Sequence, residues 1–131
     1  MRLLLLVCLL PLVLSGTCGG NCPGGQCSTC YCGTTSNPVS ISNWCASYNW
    51  NQACCMCIVT HESNGNANAM NGNANGSEDV GLWQINTVNW GQCNAGQAPC
   101  TPSSNLICAQ MVWGWGGNSF SLWSTAGPCG C

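Results

Sequence analysis

Residues 57–86 read CIVTHESNGNANAMNGNANGSEDVGLWQIN and hold every carboxylate side chain of the 131-residue sequence. Glu62 precedes a run rich in Asn, Gly and Ala, and Glu78 and Asp79 follow that run. Because NGNAN occurs twice within it, at 64–68 and 71–75, composition alone would describe the run as a low-complexity linker. The alternative is a folded loop that holds two carboxylates at a set distance from each other.

Local patterns on both sides favour the folded loop. Before the run, six residues recur at the spacing of one helix face: Trp50, Ala53, Cys54, Cys57, Ile58 and His61. Glu62 comes four residues after Ile58 and therefore lies at the C-terminal end of that face or beside it. After the run, the sequence DVGLWQI at 79–85 predicts a short strand. Asn75-Gly76 just before it is a tight-turn pair, so we expect a β-hairpin.

The rest of the chain supplies a second helix and an irregular segment. Residues 102–104 (PSS) lead into NLICAQMVW and predict a helix, which the glycines at 114, 116 and 117 are expected to end. Residues 17–37 hold five cysteines in a Gly-rich stretch without apolar periodicity. We expect an irregular N-terminal extension there, called the cysteine-rich segment below. Helices beside a small hairpin predict an α+β domain over residues 38–131.

The cysteine count points to disulfides in a secreted chain. Residues 1–16, MRLLLLVCLLPLVLSG, have one positive charge, an apolar core and small residues at the end, as in a secretory signal peptide. Removing them leaves fourteen of fifteen cysteines, enough for up to seven disulfides. The CxxC spacings at 27–30 and 54–57 also fit zinc, but one histidine and an oxidising compartment favour disulfides. We expect no metal and no cofactor.

Charge excludes several kinds of partner. Arg2 is the only Lys or Arg, so residues 17–131 have three acidic and no basic side chains, a net charge of −3 with His61 neutral. Nucleic acids and anionic membranes both need basic residues to replace their counterions, so we expect neither as a partner. An acidic surface suits a chain secreted to the extracellular space or to the acidic lumen of a digestive vacuole.

The two acidic positions have different surroundings. Many glycoside hydrolases place two carboxylates across a sugar-binding cleft, one protonated to donate a proton and one ionised to stabilise the cationic sugar centre. The first needs an apolar pocket that raises its pKa, and the second needs hydrogen-bond donors. Glu62 follows an apolar helix face, while Asp79 follows a polar run. Neighbouring strand side chains face opposite ways, so only one of Glu78 and Asp79 can face the cleft, and spacing leaves open which.

The segment CIVTHES…AMNGNANGSEDVGLWQINTVNW resembles the catalytic segment of c-type (animal-type) lysozymes. Lysozyme is itself the type case of two-carboxylate chemistry, so the mechanism comes with the resemblance. In the family pattern the acid Glu and the Asp are seventeen residues apart, as are Glu62 and Asp79, and the match runs without a gap from Cys57 to Asn86. The resemblance implies that Glu62 is the general acid and that Asp79 is the nucleophile or charge stabiliser.

The resemblance also implies six substrate-binding side chains: Asn73, Gln84, Asn86, Trp90, Phe120 and Trp123. The two asparagines match residues near the Asp and the sugar, and Gln84 belongs to the same strand. Trp90 matches a tryptophan that serves as a sugar platform. Phe120 and Trp123 resemble an aromatic pair that flanks the cleft near the acid.

Six cysteines lie between residue 57 and the end of the sequence, and we expect them to form disulfides: Cys57, Cys93, Cys100, Cys108, Cys129 and Cys131. The resemblance implies that Cys108 is a family disulfide cysteine and that Cys57 pairs with Cys129. The cysteine-rich segment and the missing basic surface depart from the family pattern, as do a shortened first helix and two extra residues between Trp90 and Cys93. Asn75 opens the one N-glycosylation sequon, Asn-Gly-Ser, at the expected hairpin tip.

These residues predict a secreted, lysozyme-like glycoside hydrolase, antibacterial or digestive, that cleaves β-1,4 bonds of peptidoglycan with retention of configuration. Chitin oligomers are a second expected substrate. Two rivals stay open. The missing basic residues and the extra cysteines would also suit a non-catalytic sugar binder or a self-assembling, fibre-forming protein on the same fold. A lytic transglycosylase, whose ESGGN-type motif the stretch after His61 also resembles, would use Glu62 alone.

Overall fold

The computed structural model describes residues 16–131, so the predicted signal peptide at 1–16 lies outside the described residues except for Gly16. Across residues 16–131, four α-helices stand beside a three-stranded antiparallel sheet of order β1-β2-β3, which confirms the α+β prediction. The elements are a 3₁₀ turn Cys18–Gly20, α1 Ile41–Cys45, α2 Gln52–Glu62, β1 Met70–Gly72, β2 Glu78–Val80, β3 Ile85–Asn86, α3 Thr87–Cys93 and α4 Pro102–Trp115. In this part of the chain no helix is long and apolar enough to cross a lipid bilayer.

Side-chain caps fix where the two longest helices begin. Asn51 precedes α2 and Thr101 precedes α4, and the side chain of each accepts a hydrogen bond from a first-turn N–H of its helix. Such caps satisfy backbone donors that the first turn of a helix leaves free. Gly114 lies inside α4, contrary to the prediction that it helps to end the helix, and Gly116 is the residue at the C-terminal cap.

The buried face of α2 differs from the predicted one. Its buried side chains are Cys55, Ile58 and Val59, whereas Ala53 and His61 of the predicted face are exposed. The other two cysteines of α2 form disulfides with the C-terminal tail, which leaves them only partly covered. The periodic pattern counted them as core residues, although they mark the side of the helix that the tail crosses.

The predicted strand over residues 79–85 is two short strands separated by a turn, so that prediction was wrong. β2 ends at Val80, residues 81–84 form the turn, and β3 begins at Ile85. Gly81 has a φ of +82°, and a Cβ at this position would collide with the side chain of Asn105. Glycine is therefore required here by both the backbone conformation and the close approach.

Asn105 holds this turn from the opposite side of the core. It is fully buried, at 0% exposure, on α4. Its Oδ1 accepts a hydrogen bond from the Trp83 N–H at 2.8 Å, and its Nδ2 donates to the carbonyls of Val80 (2.9 Å) and Pro99 (2.7 Å). One side chain thus satisfies three buried backbone groups, which would otherwise be costly to bury.

Seven disulfides pair all fourteen cysteines from residue 18 onward: Cys18–Cys30, Cys22–Cys27, Cys32–Cys100, Cys45–Cys55, Cys54–Cys131, Cys57–Cys129 and Cys93–Cys108. This is the number that the cysteine count allowed, and it includes the Cys57–Cys129 pair that the resemblance implied. Three of the bridges join α2 to other parts of the chain. The helix that ends in Glu62 is therefore covalently fixed at three positions in its N-terminal half.

The cysteine-rich segment packs against the sheet. The Met70 N–H of β1 donates to the Asn21 carbonyl at 2.7 Å, and a Cβ on Gly72 would collide with the Gln26 carbonyl. Glu78 of β2 is 2% exposed, and its Oε1 accepts a hydrogen bond from the Thr29 N–H at 3.1 Å. A disulfide from residue 32 to residue 100 closes the far end of the segment. These contacts make the segment a fixed layer over β1 and β2.

We expect Asn105→Ala to lower the free energy of unfolding by roughly 3–5 kcal/mol, because three buried backbone groups lose their partner. Guanidinium unfolding with the disulfides intact measures this change. Asn49→Ala, at an exposed asparagine, is the matched control and should change stability by less than about 0.5 kcal/mol. Equal stabilities of the two variants would contradict the assigned role of Asn105.

Candidate active site

Glu62 is the last residue of α2 and is half-buried at the end of the helix. Its Oε1 accepts a hydrogen bond from the Thr125 hydroxyl at 2.9 Å. Burial raises the pKa of Glu62 above its usual value, while the Thr125 hydrogen bond opposes that rise; the charge of Asp79 adds to the rise and His61 opposes it. A carboxyl group with a raised pKa can stay protonated closer to neutral pH and can act as a proton donor.

Asp79 has the opposite kind of surroundings. In the sheet it stands opposite Asn71 of β1 and opposite Asn86 of β3. Its Oδ1 accepts from Asn86 Nδ2 at 2.8 Å, and its Oδ2 accepts from Asn73 Nδ2 at 3.1 Å and from Asn71 Nδ2 at 3.5 Å. Both carboxylate oxygens of Asp79 therefore accept hydrogen bonds from side-chain amides, which is the polar setting expected of the second carboxylate.

The choice between Glu78 and Asp79 is decided by the sheet. Glu78 is 2% exposed and holds the cysteine-rich segment, whereas Asp79 lies on the opposite face of β2 and lines the groove described next. This follows from the alternation of side chains along a strand. Asp79 is thus the acidic residue of β2 that faces Glu62.

The two carboxylates lie in a groove made of two cavities. The first, of about 480 Å³, is lined by the end of α2, by β1 and β2, and by the cysteine-rich segment. The second, of about 220 Å³, is lined by residues around β3, by Val112 of α4 and by the 122–124 loop. Glu62, Asp79 and Gln84 line both, so the carboxylate pair stands where the cavities meet.

Three of the six predicted substrate-binding side chains line this groove, and a fourth, Asn73, contacts Asp79 without lining either cavity. Asn73 and Asn86 donate to Asp79, Gln84 lines both cavities, and Trp123 lines the second cavity. Gln84 belongs to the turn before β3 and not to a strand; its Nε2 donates to the carbonyl oxygens of residues 69 and 81. Asn75, the predicted sequon, is exposed between β1 and β2.

Trp90 and Phe120 are placed differently from the expectation. Trp90 is 4% exposed, its indole N–H donates to the Ile85 carbonyl at 3.0 Å, and Tyr31 of the cysteine-rich segment stands edge-on to it at 4.9 Å. Phe120 is 3% exposed and packs between Trp50 and Trp123. A platform on which a sugar stacks needs an exposed ring face. Both rings are buried, so neither presents such a face.

Two features at the groove, Thr125 and a loop of the cysteine-rich segment, could not be predicted from any pattern in the sequence. Thr125 lies 63 residues after Glu62, and an isolated threonine has no pattern that marks it as a hydrogen-bond partner. Gly20, Asn21 and Pro23 line the first cavity although they belong to the cysteine-rich segment. Only the packing of that segment along β1 brings them to the groove.

His61, next to Glu62, is not part of a metal site with its nearest sulfurs. Its Nδ1 lies 3.6 Å from Cys57 Sγ, 3.7 Å from Cys129 Sγ and 2.8 Å from the Cys57 carbonyl oxygen. Both sulfurs belong to one disulfide, and a disulfide offers no thiolate to a metal ion. The short contact with the carbonyl oxygen accounts for the orientation of the imidazole.

The comparison with known proteins shows the family of the chain. Residues 45–125 match the family model described as "Lysozyme like domain", and the chain belongs to this family. It is 34% identical over 74 residues to the milk isozyme of lysozyme C from Equus caballus and 45% identical over 74 residues to lysozyme C from Ortalis vetula. Each match covers 56% of this chain and 47% of the relative, so the chain spans about half the length of these relatives. A lysozyme from Bombyx mori is 39% identical over 57 residues, which are 44% of this chain and 39% of that protein.

We expect Thr125→Val to raise the pKa of Glu62 further, because the ionised carboxylate loses a donor while the volume of the side chain is kept. Glu62 is stabilised in its protonated form by folding. Its contribution to stability is therefore complete below the unfolded-state pKa and lost as pH rises through the folded-state pKa, and the valine moves that loss to higher pH. Carbon-13 NMR titration measures the pKa directly, since only three side-chain carboxylates are present.

Ser124→Ala is the matched control, since it removes the neighbouring exposed hydroxyl and should leave the Glu62 titration unchanged. If Thr125→Val and Ser124→Ala titrate alike at Glu62, the hydrogen bond does not tune this carboxyl group.

Proposed function

We propose that this chain is a lysozyme-type glycoside hydrolase that cleaves β-1,4 bonds of bacterial peptidoglycan by a two-carboxylate, retaining mechanism. The observation that carries the proposal is the contrast between two acids at one groove. Glu62 has a pKa raised by burial, and Asp79 is hydrogen-bonded by amides at both oxygens. This division into a proton donor and a charged partner is the one that glycoside hydrolysis needs.

In this mechanism Glu62 donates its proton to the glycosidic oxygen as the bond to the leaving sugar breaks. Positive charge develops at the sugar carbon that remains, and the carboxylate of Asp79 stabilises it or bonds to it. Asn73 and Asn86 keep Asp79 oriented through the hydrogen bonds that they donate. Glu62, now ionised, then accepts a proton from the water that completes the hydrolysis.

The polar lining of the groove supports a carbohydrate as substrate. Asn64, Asn66, Asn71 and Gln84 line the first cavity, so its lining is rich in amide groups, which can hydrogen-bond to sugar hydroxyls. Asn86, Asn89, Leu122 and Trp123 line the second cavity, so its lining includes both amide and apolar side chains. Such a combination fits a pyranose ring, which has polar edges and apolar faces. Peptidoglycan and chitin oligomers share this chemistry.

Export of the chain is part of the same proposal. Seven disulfides in residues 18–131 are typical of proteins that fold in an oxidising compartment. We propose that the protein acts outside the cytosol, in the extracellular space or in a digestive lumen, as an antibacterial or digestive enzyme.

The test replaces each carboxylate by its isosteric amide. We expect Glu62→Gln to lower wall-lysis activity by about 10³-fold, because the proton donor is lost. Asp79→Asn should lower it by about 10²-fold, because the developing charge loses its partner. Glu78→Gln is the matched control and should keep activity within a few fold. Turbidity loss of a peptidoglycan suspension measures all three.

Loss of activity in Glu78→Gln with full activity in Asp79→Asn would overturn the assignment of the two acids of β2. An unmodified protein that neither lyses the suspension nor cleaves oligosaccharides would contradict the enzyme proposal. Near-ultraviolet circular dichroism of each variant shows whether the folded state is kept.

The products distinguish hydrolysis from the transglycosylase alternative. We expect cleavage in ¹⁸O-labelled water to add one labelled oxygen to the new reducing end, since water completes the reaction. We expect the fresh product to be the β-anomer, as a retaining mechanism requires, which proton NMR detects before mutarotation. A 1,6-anhydro product without the label would show that Glu62 acts without a covalent or charge-stabilising role for Asp79.

A further inference from the structure

The cysteine-rich segment is part of the wall of the groove, although it lies outside the matched residues 45–125. Gly20, Asn21 and Pro23 line the first cavity together with the end of α2 and the first two strands. None of these three residues lines the second cavity. The segment therefore meets the groove on one side of the carboxylate pair only.

The wall is rigid, because Asn21 makes four hydrogen bonds to residues at least 12 positions away in the sequence. Asn21 is 1% exposed; its Nδ2 donates to the carbonyls of Gly33 (3.1 Å) and Thr35 (3.0 Å). Its Oδ1 accepts from Asn66 Nδ2 at 3.0 Å, and its carbonyl oxygen accepts from the Met70 N–H at 2.7 Å. Two of these contacts reach the segment itself and two reach the domain.

Disulfides fix the same loop on both sides. Cys22 is bonded to Cys27, and Cys18 is bonded to Cys30, so residues 18–30 form two nested covalent loops. A binding wall that is ordered before the ligand arrives costs little conformational entropy on binding. The loop at residues 20–23 meets this condition.

The position of the carboxylates indicates which sugar units of a bound polymer would contact this wall. Glu62 and Asp79 line both cavities, so a bond cleaved between them has the two parts of the polymer in different cavities. The residues that line only the second cavity include Asn86, Asn89 and Trp123, all within the matched part of the chain. Only the sugars in the first cavity would touch the cysteine-rich segment.

We propose that the loop at residues 20–23 is a substrate-binding element that holds the sugar units on one side of the cleaved bond and so sets which bond of a β-1,4-linked oligosaccharide is cut. This rests on the proposed glycoside hydrolase function. Pro23 is exposed at the groove and offers an apolar ring to a pyranose face, and Gly20 leaves open space beside it, since a Cβ there would meet no atom within 4 Å. The segment thus acts in specificity as well as in folding.

The test fills the first cavity from the side of the segment. Pro23→Trp places a large ring at the groove, and the φ that proline imposes is one that tryptophan adopts without strain. We expect kcat/KM for a chitin hexamer to fall about tenfold and the main cleavage position to move by at least one sugar, because binding in the first cavity is weakened. Mass analysis of products from a hexamer labelled at its reducing end measures the position.

Ser36→Trp is the matched control, since Ser36 is exposed on the same segment and lines neither cavity. It should leave both rate and cleavage position unchanged. Pro23→Leu is a smaller version of the same change and replaces Pro23→Trp if circular dichroism shows that the larger variant does not fold. A cleavage pattern and rate in the Pro23 variants equal to those of the unmodified protein would overturn the proposal.

Binding separates this proposal from the catalytic one. Titration calorimetry measures binding of the hexamer without any cleavage. It is done with the Glu62→Gln protein alone, with Pro23→Trp added, and with Ser36→Trp added. A weaker affinity in the Pro23→Trp protein but not in the Ser36→Trp protein supports the binding role even if the unmodified protein cleaves nothing. Equal affinities in all three, or no binding by any, would overturn it.

Discussion

β2 is paired along both of its edges, and this double pairing is the constraint on which the candidate site depends. Asp79 stands opposite Asn71 on one side and opposite Asn86 on the other. The alternation along the strand then sends Glu78 inward and Asp79 toward the groove. A register slip of one residue would exchange these faces, burying Asp79 and moving Glu78 to the groove. The asparagines on the neighbouring strands would then face the wrong acid.

The electrostatics of the site are set without any Lys or Arg, because the described residues contain neither. Asp79 accepts hydrogen bonds from side-chain amides, which are neutral donors. Glu62 accepts a hydrogen bond from the Thr125 hydroxyl, and its burial raises its pKa. The two carboxyl groups of the site thus differ in the donors that surround them.

The cysteine-rich segment explains why Glu78 is tolerated in the interior. A buried carboxylate is costly, and Glu78 Oε2 has no hydrogen-bond partner among the described residues. Its Oε1, however, accepts from the backbone of the segment and thereby joins the segment to the strand that carries Asp79. The same segment covers Trp90 with Tyr31 and lines the first cavity with Pro23. A part of the chain without regular structure thus shapes the sheet, the core and the groove.

The run with the repeated NGNAN is a folded connection between the end of α2 and β2. It includes β1 and the hairpin turn, where Gly76 has a φ of +85°. Its asparagines have separate tasks: Asn66 bonds to Asn21, Asn71 and Asn73 donate to Asp79, and Asn75 accepts from Ser77. The repetition in the sequence has no counterpart in a repeated structure.

The sequence by itself determined the α+β class, the disulfide count, the helix that carries Glu62 and the hairpin before Asp79, because these follow from local periodicity, turn residues and composition. The seventeen-residue spacing predicted both acids through the family resemblance. Only the tertiary structure decided the turn at 81–84, the burial of Trp90 and Phe120, and the positions of Thr125 and of residues 20–23 beside the groove. These depend on contacts between distant segments, such as Asn105 with Val80 or Thr125 with Glu62. Such contacts leave no periodic signal, since each is made by one polar side chain that packing brings to its partner.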